Sequence, residues 1–137
     1  MLGPVSTLVA AACLATPVSG NRVVAPPFKG GIAPQYDVVG GRFALHVGGV
    51  RDRRTGLSQK ILWVLPARYR KSAGPELAVT GRLNGIVRFR QWFPGAGVPG
   101  DPALYFPSNI APPTAGCWTL TLTTGQLKAR LIVLVRS

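Results

Sequence analysis

A chain of 137 residues, 47% hydrophobic, fits one domain plus a short appendage and excludes wholesale disorder. Its 17 Gly and 13 Pro punctuate it too often for long helices, and no apolar run keeps a 3.6-residue spacing. Sixteen Lys and Arg face four acids, for a formal net charge of +12. That balance favours contact with polyanions: nucleic acid, anionic lipid headgroups or phosphate-rich wall polymers.

Residues 1–20 carry no charged side chain. Val5 to Leu14 is a short Ala-rich apolar run, too short for a comfortable membrane span, and it reads as the core of an export signal. Two processing points are expected. Ala10-Ala11-Ala12-Cys13 resembles a bacterial lipobox, which makes Cys13 the lipidation candidate. Val18-Ser19-Gly20 offers an ordinary small-x-small cut before Asn21. Asn21 to Asp37, with Pro26-Pro27, Gly30-Gly31 and Pro34, reads as a Pro/Gly-rich tether.

From Val38 the pattern becomes that of strands. Phe43, Leu45 and Val47 alternate with Arg42 and His46. Lys60 to Leu65 is a continuous apolar run, as expected of a central strand covered on both faces. Leu77, Val79 and Gly81 lead into Asn84-Gly85, a strong hairpin turn. The strand Ile86 to Phe93 follows, with Val87, Phe89 and Gln91 on one side and Arg88, Arg90 and Trp92 on the other. Pro94 to Gly116 reads as an irregular loop. Trp118 to Thr123 pairs with Leu127 to Val135 across Thr124-Gly125-Gln126. The expected fold is all-β, a small antiparallel sandwich of the immunoglobulin-like kind over residues 38–137, with an OB-type barrel as the alternative. Trp63, Phe89, Trp118 and Leu120 are expected in its core.

Phe106-Pro107-Ser108-Asn109-Ile110, then Pro112-Pro113 and Gly116-Cys117-Trp118, resembles a motif of bacterial exported proteins and lipoproteins. In these, F-P-S…G-C-W leads into the terminal hairpin of an Ig-like domain. The similarity extends over Gly41 to Pro66, notably Leu57 to Trp63. It implies fold and location but no chemistry, since the group has no established activity. The chain departs from true immunoglobulin domains: with the domain starting at residue 38, only Cys117 lies inside it, and no Tyr stands two residues earlier.

Chemistry-bearing residues are sparse. With Cys13 lipidated or removed, Cys117 is expected to be unpaired, a small buried apolar residue rather than a nucleophile with His46 as base. His46 stands alone as a metal ligand, and the acids Asp37, Asp52, Glu76 and Asp101 are scattered. No enzyme, metal or cofactor is therefore expected, and no small-molecule substrate. The anion-binding candidates are Arg51, Arg53 and Arg54 around one turn, Arg68, Arg70 and Lys71 in a second cluster, and Arg88, Arg90 and Trp92 on a strand. The expected partner is an anionic membrane, a wall polymer or an envelope protein met after export. The alternative is a cytosolic barrel that stacks single-stranded nucleic acid on Arg and aromatic side chains. A hydrolase ranks last.

Overall fold

A computed structural model describes residues 13–52 and 54–137. The strands are β1 (Val18–Ser19), β2 (Arg22–Ala25), β3 (Phe28–Gly31), β4 (Val38–Val39), β5 (Arg42–His46), β6 (Val50–Asp52), β7 (Leu57–Ser58) and β8 (Ile61–Leu65). After these come β9 (Glu76–Leu83), β10 (Ile86–Pro94), β11 (Ala96–Val98), β12 (Asp101–Ser108), β13 (Gly116–Thr124) and β14 (Leu127–Arg136). One helical turn, α1 (Pro34–Asp37), precedes β4.

Two six-stranded sheets form a sandwich. The first runs β1-β2-β3-β8-β12-β11 and the second β10-β9-β13-β14-β5-β4, with β6 and β7 as a separate hairpin. Each sheet ends in edge strands, so the barrel alternative does not hold. Pairing is antiparallel except between β14 and β5, which run parallel. The two hairpins expected from their turns are present. Asn84 and Gly85 both adopt positive φ between β9 and β10, and Gly125 does so between β13 and β14. Alternation then sends Leu77 and Val79, Trp118, Leu120 and Leu122, and Leu131, Val133 and Val135 into the core. From the other sheet they meet Val23, Phe28, Ile61, Trp63, Leu65 and Phe106. Phe89 is only partly buried, its ring 5.4 Å from that of Trp118.

Four expectations are corrected. The tether is not a tether: residues 22–31 form the β2–β3 hairpin, which pairs with β8 and buries Val23, Ala25 and Phe28. Gly30 makes this possible, because a Cβ there would stand 2.7 Å from the Trp63 ring and 2.9 Å from Val23. β8 is central in its sheet but covered on one face only; Leu62 is 40% exposed.

The stretch 94–116 contains β11 and the eight-residue β12. Its prolines sit where β12 has a neighbour on one side alone. Pairing with β8 begins at Leu104, beyond Pro102, and pairing with β11 ends at Tyr105, before Pro107.

The fourth correction concerns cysteine. Cys13 and Cys117 form a disulfide, with Cα atoms 5.4 Å apart. Cys117 is not a lone thiol, and the domain begins at or before Cys13 rather than at residue 38. Residues 15–18 lie between β14 and β5 as they diverge. Thr16 N–H donates to the Ile132 carbonyl at 2.8 Å, and its hydroxyl accepts from Ile132 N–H at 2.9 Å. Phe43 N–H donates to the Thr16 carbonyl at 2.8 Å.

Candidate anion-binding face

The outer face of the second sheet collects cations by strand alternation. Because Leu77, Val79 and Gly81 point inward, Ala78, Thr80 and Arg82 point outward. The same rule turns out Thr119, Thr121 and Thr123 on β13, and Lys128, Arg130 and Ile132 on β14. On β10, Phe89, Gln91 and Phe93 turn in and Arg90 and Trp92 turn out, with Arg88 exposed in a bulge between Val87 and Phe89.

Register fixes what lies beside what. One row across the sheet reads Arg90, Thr80, Thr121, Arg130, and the next reads Trp92, Ala78, Thr123, Lys128. A third reads Val87, Arg82, Thr119, Ile132. With strands about 4.8 Å apart, Arg90 and Arg130 are anchored roughly 14 Å from each other across a floor of threonines. Arg82 lies over this floor, its Nη1 donating to Thr121 Oγ1 at 3.3 Å. Thr121 faces outward yet is only 4% exposed, so the long side chains around it form its cover. Trp92 is 59% exposed. The face's single acid is Glu76, at the start of β9.

The other three acids lie elsewhere and have hydrogen-bond donors of their own. Asp37 is fully buried and accepts from Ala33 N–H and from Gln59 Nε2. Asp52 accepts from Arg54 N–H. Asp101 accepts from Ala103 N–H and from the Tyr105 hydroxyl, which together hold its carboxyl below the usual range, the Tyr105 bond most of all.

The sequence-derived candidates separate into three places. Arg90 and Trp92 lie on the basic face, and Arg88 is exposed in the bulge beside them. Arg68, Arg70 and Lys71 belong to the 3-10 segment Ala67–Ser72, where Arg68 stacks on its neighbour Tyr69 and Arg70 donates to the Pro102 carbonyl at 3.1 Å. Arg51 lies in β6 with its guanidinium 4.7 Å from the centre of the Tyr36 ring, and Arg54 is exposed in the turn after it. Arg53 lies outside the described residues, as do residues 1–12 of the export signal expected over residues 1–20, whereas its residues 13–20 are part of the folded domain, with Cys13 and Ala15 buried. Sequence reasoning missed Arg82, Lys128 and Arg130. Their signal was present, because the outward positions of both expected hairpins could have been paired across the strands. The Cys117–His46 pairing considered for catalysis is removed by the disulfide.

No protein-family model, curated protein or solved structure matches the chain. The functional reading therefore rests on geometry and charge.

Proposed function

We propose that this chain is an extracytoplasmic β-sandwich, non-catalytic, that holds an anionic polymer or lipid surface of the cell envelope against the outer face of β10, β9, β13 and β14. The observation that carries the reading is the set of four cations, Arg82, Arg90, Lys128 and Arg130, on one sheet face with a single acid at its margin and with Arg88 exposed in the bulge beside them. A rigid row of guanidinium groups suits repeating phosphates or carboxylates, which arginine grips through paired N–H groups.

Location outside the cytoplasm is supported by the disulfide, since such bonds persist in oxidising compartments and are rare in reducing ones. The same bond bears on maturation. A cut after Gly20 would remove Cys13, the buried Ala15 and the bonds of Thr16. A mature chain that keeps the disulfide therefore begins at or before Cys13. The Cys13 sulfur is occupied in the bond, so the lipid-anchored form of this reading requires the disulfide to be open.

Single-stranded nucleic acid is the second reading for the same face. Trp92 favours it, but stacking platforms seat successive bases on several aromatic rings. Here the remaining outward positions are Thr, Ala and aliphatic.

The compartment is tested by fractionating cells that express the full sequence and measuring intact mass without reductant. The expected species lies in the envelope or medium, contains Cys13 and is lighter than the reduced chain by the two thiol hydrogens. A reduced, full-length species in the cytosol would overturn the reading.

A further inference from the structure

The outer face of the first sheet, on the opposite side of the sandwich, is built differently from the basic face. Val23, Phe28 and Gly30 turn inward, so Arg22, Val24, Lys29 and Gly31 turn outward. The same alternation presents Leu62 and Val64 on β8 and Tyr105 on β12. Register sets one row as Arg22, Gly31, Leu62 and the next as Val24, Lys29, Val64, Tyr105. Arg22 and Lys29 are therefore diagonal neighbours, anchored roughly 7–8 Å apart, near enough for two long side chains to reach one anion. Tyr105 stands two strand spacings from Lys29, about 10 Å away, with Val64 between them.

A cavity of about 420 Å³ opens over these rows, and Arg22, Lys29, Gly31, Leu62, Val64 and Tyr105 all border it. That volume falls within the range of small-molecule sites, roughly 300–1,000 Å³. Gly31 gives the cavity its depth. A Cβ there would meet only Leu62, at an ordinary 3.7 Å, so a side chain at this position would stand in the cavity and not in the core. No acid lines the cavity among the described residues. Glu76 belongs to the other sheet, and Asp37 and Asp52 are bound at α1 and in the β6–β7 hairpin. Asp101 accepts from Ala103 N–H and from the Tyr105 hydroxyl, which anchors the Tyr105 ring as one wall. The cavity is thus cationic at its β2–β3 end, apolar along Leu62 and Val64, and aromatic at its β12 end.

We propose that this cavity binds a small organic anion, an apolar body carrying one carboxylate or phosphate. Arg22 and Lys29 take the anionic head through charge-assisted hydrogen bonds. The body lies over Gly31, Leu62 and Val64 with its far end against the Tyr105 ring. The direction is fixed by charge, because the Asp101 carboxylate beyond Tyr105 repels an anion at that end while the two cations attract it at the other. This site shares no residue with the basic face of β10, β9, β13 and β14 and stands or falls separately from it.

The test titrates the full chain with phenylpropionate, with its uncharged amide and with phenethyl phosphate, following the Leu62 and Val64 methyl signals by NMR. The anions should move these signals saturably, and the amide should bind at least about tenfold more weakly, the worth of one charge-assisted contact. The tighter of the two anions assigns the head group. Arg22→Gln/Lys29→Gln should reduce anion binding to the level of the amide, while Arg90→Gln/Arg130→Gln on the other sheet should leave it unchanged. Gly31→Val should abolish binding of all three probes and keep the wild-type thermal midpoint, because its side chain fills the cavity and leaves the core alone. Methyl signals that stay still in the wild-type chain, or equal binding of anion and amide, would overturn the proposal whether or not any variant folds. Wild-type affinity in Gly31→Val would overturn it too.

Discussion

Cys13 and Cys117 are 104 residues apart in sequence and are joined by a disulfide, so most of the described chain is closed into one loop, with β14 outside it. Cys117 lies on β13 beside Leu134 of β14, and its neighbour Trp118 points into the core. The bond therefore ties the first described residues to the central hairpin of the second sheet.

Closing a loop of this size removes much of the unfolded chain's freedom, which the loop-entropy account values at about 4–5 kcal/mol. Replacing both cysteines by Ala should lower stability by about 2–5 kcal/mol in denaturant titrations. The unfolding slope should increase as well, because the unlinked denatured chain exposes more surface. An unchanged midpoint would show that residues 13–18 contribute nothing through that link.

Gly30 and Gly31 are adjacent, yet they face different surroundings. A methyl on Gly30 would strike Trp63 and Val23, whereas one on Gly31 would meet Leu62 at an ordinary 3.7 Å. Gly30→Ala should cost about 1–3 kcal/mol by overpacking, and Gly31→Ala should be close to neutral. Equal effects in thermal melts would contradict the packing of β3 against β8.

Trp118 is fully buried, donates from Nε1 to the Thr114 carbonyl at 3.0 Å and stacks at a tilt on Phe89. Trp118→Ala should cost about 3–5 kcal/mol and leave the Thr114 carbonyl without its donor. A wild-type melting temperature would refute its place in the core.

His46 gives the fold a pH dependence of definite sign. Its pKa is lowered in the folded state, chiefly by burial and then by Arg136. The unfolded chain therefore binds the proton more readily, and folding stability falls as pH drops below about 6.5. Above that value the His46 contribution is fully present. His46→Gln should flatten this part of the stability–pH curve, and an unchanged slope between wild type and variant would show that His46 is not the group responsible.

Much of the second sheet was legible because its signals are local. Asn84-Gly85 and Thr124-Gly125-Gln126 set two turns, and period-two alternation on either side sets which residues go inward. The outward cations followed from the same alternation, although only β10 was read that way. The first sheet was less legible. Pro26-Pro27 marks a break without saying whether the chain beyond it is tethered or turns back. What decides is the fit of Phe28 and Gly30 against Trp63, more than thirty residues away. Pro102 and Pro107 hid β12 because the reading could not know which strand would lie on each side. The disulfide had no local signature, and the Ala-rich residues before Cys13 pointed to a different chemistry for its sulfur. The surroundings of His46 depend on the parallel pairing of β5 with β14, which brings Arg136 beside it from the far end of the chain.

The basic face is tested most directly by removing equal charge from two places. Arg90→Gln/Arg130→Gln deletes two cations from the face, and Arg68→Gln/Lys71→Gln deletes two from the 3-10 segment, leaving the same net charge. Binding to vesicles rich in anionic lipid, and to a soluble phosphate polymer, would be measured across a range of salt. The account predicts that the first pair weakens binding at least tenfold and flattens its salt dependence, while the second pair changes little. Equal losses in both pairs would mean that net charge alone drives binding, and would contradict a dedicated face on β10, β9, β13 and β14.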